Sequence, residues 1–97
     1  AHIEMNKEAV GTLKTRLAFH SLKQKNSLTP YVSYLKQECT KEALWSLIPA
    51  KLAEPTIHKE ITDITINEIF TAIDKLIEGQ KIDVIIGGPP CQAYSLI

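Results

Sequence analysis

The sequence is poor in cysteine and carries no net charge. It has two cysteines, Cys39 and Cys91, which are too few for a disulfide framework and lack zinc-ligand spacing. Eleven basic side chains balance eleven acidic ones, so the chain lacks the excess positive charge of a segment that binds a phosphate backbone by itself. We therefore expect a reducing, cytoplasmic setting, and any nucleic-acid substrate would be held mainly by other parts of the protein.

Long apolar runs are also absent. No stretch is long enough to span a membrane, and the first residues do not resemble a signal peptide. Hydrophobic residues still make up 44% of the 97 residues, which is enough for a packed core. The sequence does not start with Met and stops soon after Ser95. We interpret it as one domain, or part of one, from a larger protein.

Strand and helix patterns alternate along the chain. Residues 1–4 predict the end of a strand, and Asn6 can cap the helix that follows. The helical pattern weakens from Ser21, and residues 21–55 read as a helical insertion. Within it we expect a short helix capped by Thr40, with Leu44, Leu47 and Ile48 pointing inward.

The second half of the chain repeats the alternation. A strand is predicted near residues 56–61, followed by a helix with a capping box formed by Thr65 and Glu68. Gly79 ends that helix, and the apolar run at residues 82–86 predicts a third strand, buried on both faces. This order predicts an α/β fold built of parallel βαβ units.

Three polar features follow the three predicted strands. Ligands of open α/β sheets bind beyond the carboxyl ends of the strands. Glu4 ends the first strand, Asp63 follows the second, and Cys91 follows the third. An acid in the position of Glu4 commonly accepts hydrogen bonds from ribose hydroxyls. The alternatives are a solvated residue for Glu4 and ordinary loop chemistry for Asp63.

Cys91 stands on an unusually constrained loop. Two prolines fix the approach to the thiol, and two glycines allow the backbone to pass close to a ligand. Catalysis by a thiolate needs such a defined position. An inert loop cysteine is the alternative.

The segment "GGPPCQAYS", residues 87–95, resembles the catalytic-cysteine motif of cytosine-5 methyltransferases. "IEMN" near the start resembles the second motif of this family, and "TDI" resembles the third. The motifs occur in the family's order, although residues 21–55 are longer than in compact members. The family's first cofactor loop, its Glu-Asn-Val motif and its target-recognition domain are not in the sequence.

The resemblance implies a partial S-adenosylmethionine-dependent methyltransferase domain with a Rossmann-like fold. It assigns Glu4 to the ribose hydroxyls of the cofactor and Met5 to the face of the adenine. Asp63 would accept a hydrogen bond from the adenine amino group, and Ile64 would pack on the ring. Gly88 would lie where the loop passes the reactive end of the cofactor.

For the substrate, the resemblance implies that Pro90 orients Cys91, and that Gln92 and Ser95 face the target strand. The implied activity is methyl transfer to C5 of cytosine in double-stranded DNA, through a covalent bond between Cys91 and C6 of a flipped-out base. The implied setting is restriction-modification in the bacterial cytoplasm or nucleoid. Residues 1–97 alone would be inactive.

Other functions fit parts of the pattern. A branch of the same family methylates transfer RNA and has a similar Pro-Pro-Cys-Gln motif. A catalytically silent nucleotide-binding module is another alternative, in which Cys91 has no chemical role. A thiol redox protein is disfavoured because no second cysteine lies near Cys91.

Overall fold

The computed structural model describes residues 1–88; residues 89–97 lie outside the described part. The elements in chain order are β1 (His2–Glu4), α1 (Lys7–Gln24), α2 (Thr29–Leu35), α3 (Lys41–Trp45), α4 (Ala50–Ala53), β2 (Thr56–His58) and α5 (Ile66–Ile77). The two strands form a parallel sheet in which Ile3 pairs with Ile57 and Glu4 pairs with His58. The described part is therefore a mixed α/β structure with a parallel sheet, as the alternating pattern predicts.

Helix α1 begins as predicted but runs further. The Asn6 side chain accepts a hydrogen bond of 2.9 Å from the backbone N–H of Ala9. The helix continues past Ser21, and its end is set by Asn26, which has a left-handed φ of 52°. The N–H of Ser27 donates to the Leu22 carbonyl, and that of Asn26 donates to Lys23, as in a Schellman motif. The predicted weakening of the helical pattern at Ser21 was wrong. Ser21 and Leu22 are both buried, so the core-facing side of α1 continues past this point.

The core lies between α1 and the short helices that follow it. Ala18, Leu22 and Leu44 are buried together. Leu28, Tyr31, Tyr34 and Ile48 pack around them. Thr40 caps α3 as predicted, accepting a hydrogen bond of 3.2 Å from the Ala43 N–H. Leu47, however, is 45% exposed, because α3 ends at Trp45 and Leu47 leaves the helical register.

Trp45 connects α3 to α1 through a hydrogen bond and through packing of its ring. Its indole N–H donates a hydrogen bond of 3.0 Å to the Thr15 hydroxyl. The ring edge lies over Gly11, where an added Cβ would stand 3.4 Å from two ring carbons. The ammonium groups of Lys14 and Lys41 lie 5.3 and 5.6 Å from the ring centroid. The ring therefore combines packing, a satisfied polar atom and two cation–π contacts.

The predicted third strand does not form in the described structure. Residues 82–86 have no strand assignment, and Val84, Ile85 and Ile86 are 73%, 86% and 92% exposed. A strand is held by backbone hydrogen bonds to a neighbour, and this run has no pairing partner among residues 1–88. Its buried position was therefore wrongly predicted for this structure.

In the same described part, no helix has the length and apolar character needed to cross a membrane.

We predict that Leu44→Ala destabilises the protein by about 2–5 kcal/mol, because it removes a side chain that is only 1% exposed. Leu35→Ala is the matched control. Leu35 is 61% exposed, so the same truncation there should cost less than about 0.5 kcal/mol. Urea-induced unfolding monitored by circular dichroism measures both values. Equal losses for the two variants would contradict the assigned core.

Candidate functional site

The pairing of β1 with β2 brings two chain segments to one edge of the sheet. Glu4 is opposite His58, and the N–H of Lys59 donates a hydrogen bond of 3.1 Å to the Glu4 carbonyl. Because the strands are parallel, their carboxyl ends meet at the same edge. The turn after Glu4 and the loop that contains Asp63 therefore both start there, as the sequence predicts.

The Glu4 carboxylate is anchored by the turn that follows it. Its Oε1 atom accepts a hydrogen bond of 2.9 Å from the backbone N–H of Asn6, and the side chain is half-buried. Asn6 in turn caps α1, so the carboxylate lies close to the positive end of the helix dipole. One carboxylate oxygen, Oε1, is thus held in place by the backbone.

Met5 lies between these two anchored residues. Its side chain is 64% exposed, but its carbonyl oxygen lies 3.0 Å from Nε2 of His58. A carbonyl can only accept, so His58 is the donor in this contact. His58, at the end of β2, is thus hydrogen-bonded to the turn at the end of β1.

The loop after β2 is shaped by a threonine pair. Oγ1 of Thr62 accepts a hydrogen bond of 3.2 Å from the Thr65 N–H, and Oγ1 of Thr65 accepts one of 3.0 Å from the Thr62 N–H. This is the reciprocal geometry of a capping box, with threonine in place of the usual glutamate. Asp63 and Ile64 lie between the two hydroxyl groups, in the turn that leads into α5.

The predicted capping box of Thr65 with Glu68 was therefore wrong. Thr65 has helical backbone angles (φ −89°, ψ −17°) and makes no side-chain cap to α5, whereas a cap residue normally has an extended backbone. Glu68 instead pairs with Lys59, which follows β2. This ion pair connects α5 to the end of the strand, and the exposure of both side chains makes its contribution to stability small.

Two apolar side chains stand beside the two acids without packing against the core. Ile64 is 85% exposed and Met5 is 64% exposed, and Asp63 is also exposed. Exposed apolar side chains next to fixed polar groups suit an aromatic ring with hydrogen-bonding edges. Residues of these types could hold the adenosine part of a nucleoside cofactor.

Gly88 is the one remaining predicted site residue within residues 1–88, and it is not brought to this edge. An added Cβ at Gly88 would meet no atom within 4 Å, so Gly88 packs against neither strand. Pro90, Cys91, Gln92 and Ser95 lie outside the described residues. Their assigned roles stay predictions.

A groove of about 770 Å³ runs along α1, lined by residues that include Lys7, Lys41, Trp45 and His58. None of the five residues predicted to contact the cofactor in the described part lines it; these are Glu4, Met5, Asp63, Ile64 and Gly88. Within residues 1–88, no group of three or more His, Cys, Asp or Glu side chains is arranged to hold a metal ion.

Sequence reasoning missed His58 and the threonine pair. His58 has no ligand spacing in the sequence, and its contact with Met5 follows only from the register of the two strands. The threonine spacing Thr62–Thr65 was visible, but the Thr65–Glu68 spacing nearby gave an equally good match to a capping box.

Comparisons with known proteins identify the family of the chain. Residues 10–97 match the model of the C-5 cytosine-specific DNA methylase family. The chain therefore belongs to this family.

Two curated relatives are type II methyltransferases by name. M.Bpa9945I of Bacillus paralicheniformis is 30% identical over 119 aligned positions, which cover 100% of this chain and 26% of the relative. The putative enzyme M.MjaORF1200P of Methanocaldococcus jannaschii is 44% identical over 45 positions, covering 46% of this chain and 11% of the relative. The chain thus spans about a quarter or less of the relatives it matches. No solved structure gives a significant match.

We predict that Thr62→Ala lowers stability by about 1 kcal/mol, because the Thr65 N–H loses its acceptor. Thr62→Ser keeps the hydroxyl and should cost less than half as much. Thermal unfolding of the two variants distinguishes them. If serine and alanine lower the melting temperature equally, the hydroxyl pair does not hold this loop.

Proposed function

We propose that the protein containing this chain is a DNA (cytosine-5-)-methyltransferase of a restriction-modification system. The observation that carries the proposal is the pairing of Glu4 with His58, which sets Glu4 and the Asp63 loop on one sheet edge in a member of this family. Two curated relatives with type II methyltransferase names support the restriction-modification setting.

The proposed fold of the complete domain is the Rossmann-like sheet. The strands of such a sheet lie in the order 3-2-1-4-5-6, in which the second and third strands are neighbours. β1 and β2, which are neighbours here, would be the second and third strands of the complete sheet. Residues 82–86 would be its fourth strand, which lies next to the first strand and not next to β1 or β2. This order accounts for the exposed apolar run, because its partner would not be among residues 1–88.

The proposed cofactor is S-adenosylmethionine, which supplies an electrophilic methyl group on a positively charged sulfur when bound. The anchored Glu4 carboxylate would bind the ribose hydroxyls with its free oxygen. Met5 and Ile64 would cover the faces of the adenine, and Asp63 would accept from its amino group. Gly88 would let the backbone pass the reactive end of the cofactor without a side chain in the way.

The proposed catalytic group is the Cys91 thiolate. Carbon C5 of cytosine is a poor nucleophile until the thiolate adds to C6, which makes the C5–C6 bond single and leaves C5 as the nucleophilic carbon of an enamine-like C4–C5 double bond. C5 can then take up the methyl group. Loss of the C5 proton restores the double bond and expels the thiolate, so Cys91 is regenerated. A serine hydroxyl would be too weak a nucleophile for the first step at neutral pH.

The proposed substrate is double-stranded DNA with the target cytosine flipped out, because C6 is not accessible to a side chain within a stacked duplex. Pro90 would orient Cys91, and Gln92 and Ser95 would face the DNA. The balanced charge of the chain implies that phosphate contacts come mainly from other parts of the protein.

The complete protein should form a covalent adduct with DNA that contains 5-fluorocytosine, in the presence of cofactor. Fluorine at C5 cannot leave as a proton does, so the bond to Cys91 persists and shifts the protein band in a denaturing gel. Cys91→Ser should abolish the adduct, and Cys39→Ser, which removes the other cysteine, should retain it.

The same assay separates the alternatives. An adduct with fluorinated transfer RNA but not with DNA would assign the RNA-modifying activity. The absence of any adduct that depends on Cys91 would contradict the proposed chemistry and favour a silent nucleotide-binding module.

We predict that Glu4→Gln weakens S-adenosylmethionine binding about tenfold, because a charge-assisted hydrogen bond to the ribose becomes a neutral one. Glu8→Gln, which removes a nearby exposed acid in the first turn of α1, should leave affinity within twofold. Isothermal titration calorimetry measures both. Equal effects would mean that general electrostatics, not a ribose contact, explains the loss.

A further inference from the structure

His58 lies at the end of β2, directly opposite Glu4 in the parallel ladder. Its ring reaches across the sheet edge and places Nε2 at 3.0 Å from the Met5 carbonyl oxygen. The donor nitrogen must carry a proton, which is so in the Nε2–H tautomer and in the imidazolium ion. The contact is therefore a side-chain hydrogen bond between two segments that are far apart in sequence.

The turn at residues 4–6 depends on a small number of such contacts. The Lys59 N–H holds the Glu4 carbonyl, the Asn6 N–H holds the Glu4 carboxylate, and His58 holds the Met5 carbonyl. The Met5 side chain is 64% exposed, so core packing contributes little to its position. Among the described residues, the imidazole is the side chain that hydrogen-bonds the Met5 carbonyl, and it therefore restrains the orientation of this peptide.

We infer that His58 is a positioning residue for the cofactor site, acting through the Met5 backbone on the side chains of Glu4 and Met5. This inference rests on the proposed function. The His58 ring is hydrogen-bonded to the Met5 carbonyl and not to the Glu4 carboxylate. It limits rotation of the turn that carries Glu4 and Met5, the two residues proposed to contact the adenosine. Pre-organisation of this kind lowers the ordering cost on binding, so it acts on affinity and not on the rate of the chemical step.

The position of His58 also argues against two other roles. It belongs to no cluster of metal-ligating side chains within residues 1–88. The backbone of β2 already pairs with β1 through its own hydrogen bonds, so the imidazole is not needed for strand pairing. Replacement of the ring should therefore affect the turn more than the fold.

The test uses the complete protein with His58→Ala, His58→Gln and the control His20→Ala, which removes an exposed histidine from α1. S-adenosylmethionine binding is measured by calorimetry without DNA, and kcat and KM are measured with DNA. Loss of one neutral hydrogen bond should raise the cofactor Kd about fivefold in His58→Ala, with kcat within twofold of wild type. The Gln amide nitrogen can occupy the place of Nε2, so His58→Gln should restore most of the affinity.

Each outcome decides the question. If His58→Ala binds the cofactor as tightly as wild type, the inference is wrong and the proposed function stands. If His58→Gln binds as weakly as His58→Ala while both keep the wild-type melting temperature, the hydrogen bond to Met5 is not the cause, and the inference is also wrong. If the wild-type protein binds no S-adenosylmethionine, the proposed function fails, and this inference fails with it.

Discussion

The parallel pairing of β1 with β2 is the constraint on which the rest of the described structure depends. Each strand has three residues, so the ladder alone contributes few hydrogen bonds. Helix α1 supports it by contacting both strands as well as α2, α3 and α4. Trp45 and the buried Leu44 hold α3 against α1 and so keep the connection between the strands compact. The helical layer thereby supports the strand pair in which Glu4 lies opposite His58.

The candidate site is built from backbone positions more than from buried side chains. Asn6 links the cap of α1 to the Glu4 carboxylate, and the threonine pair shapes the loop of Asp63. Both sets of hydrogen bonds close short loops directly after a strand, where a ligand can reach the residues of the loop. The exposed Met5 and Ile64 offer apolar surface next to these hydrogen-bonded turns, and the proposed function uses that surface for the adenine ring.

Features set by local chemistry were predictable from the sequence. The caps at Asn6 and Thr40 need only a side chain and the next turn of helix, and both form. The order of strand, helix and strand followed from hydrophobic periodicity. Features set by distant neighbours were not predictable in the same way. Residues 82–86 have the composition of a buried strand, but a strand also needs a partner. The contact of His58 with Met5 depends on register, which no local pattern specifies.

A crystal structure of the complete protein with bound S-adenosylmethionine tests the central claim most directly. The account predicts that a Glu4 carboxylate oxygen lies within hydrogen-bonding distance of the ribose hydroxyls, with the adenine between Met5 and Ile64. It also predicts that the Cys91 sulfur faces the methyl group. A cofactor bound away from the edge formed by Glu4 and Asp63, or a Cys91 sulfur buried on the opposite side of the sheet, would contradict it.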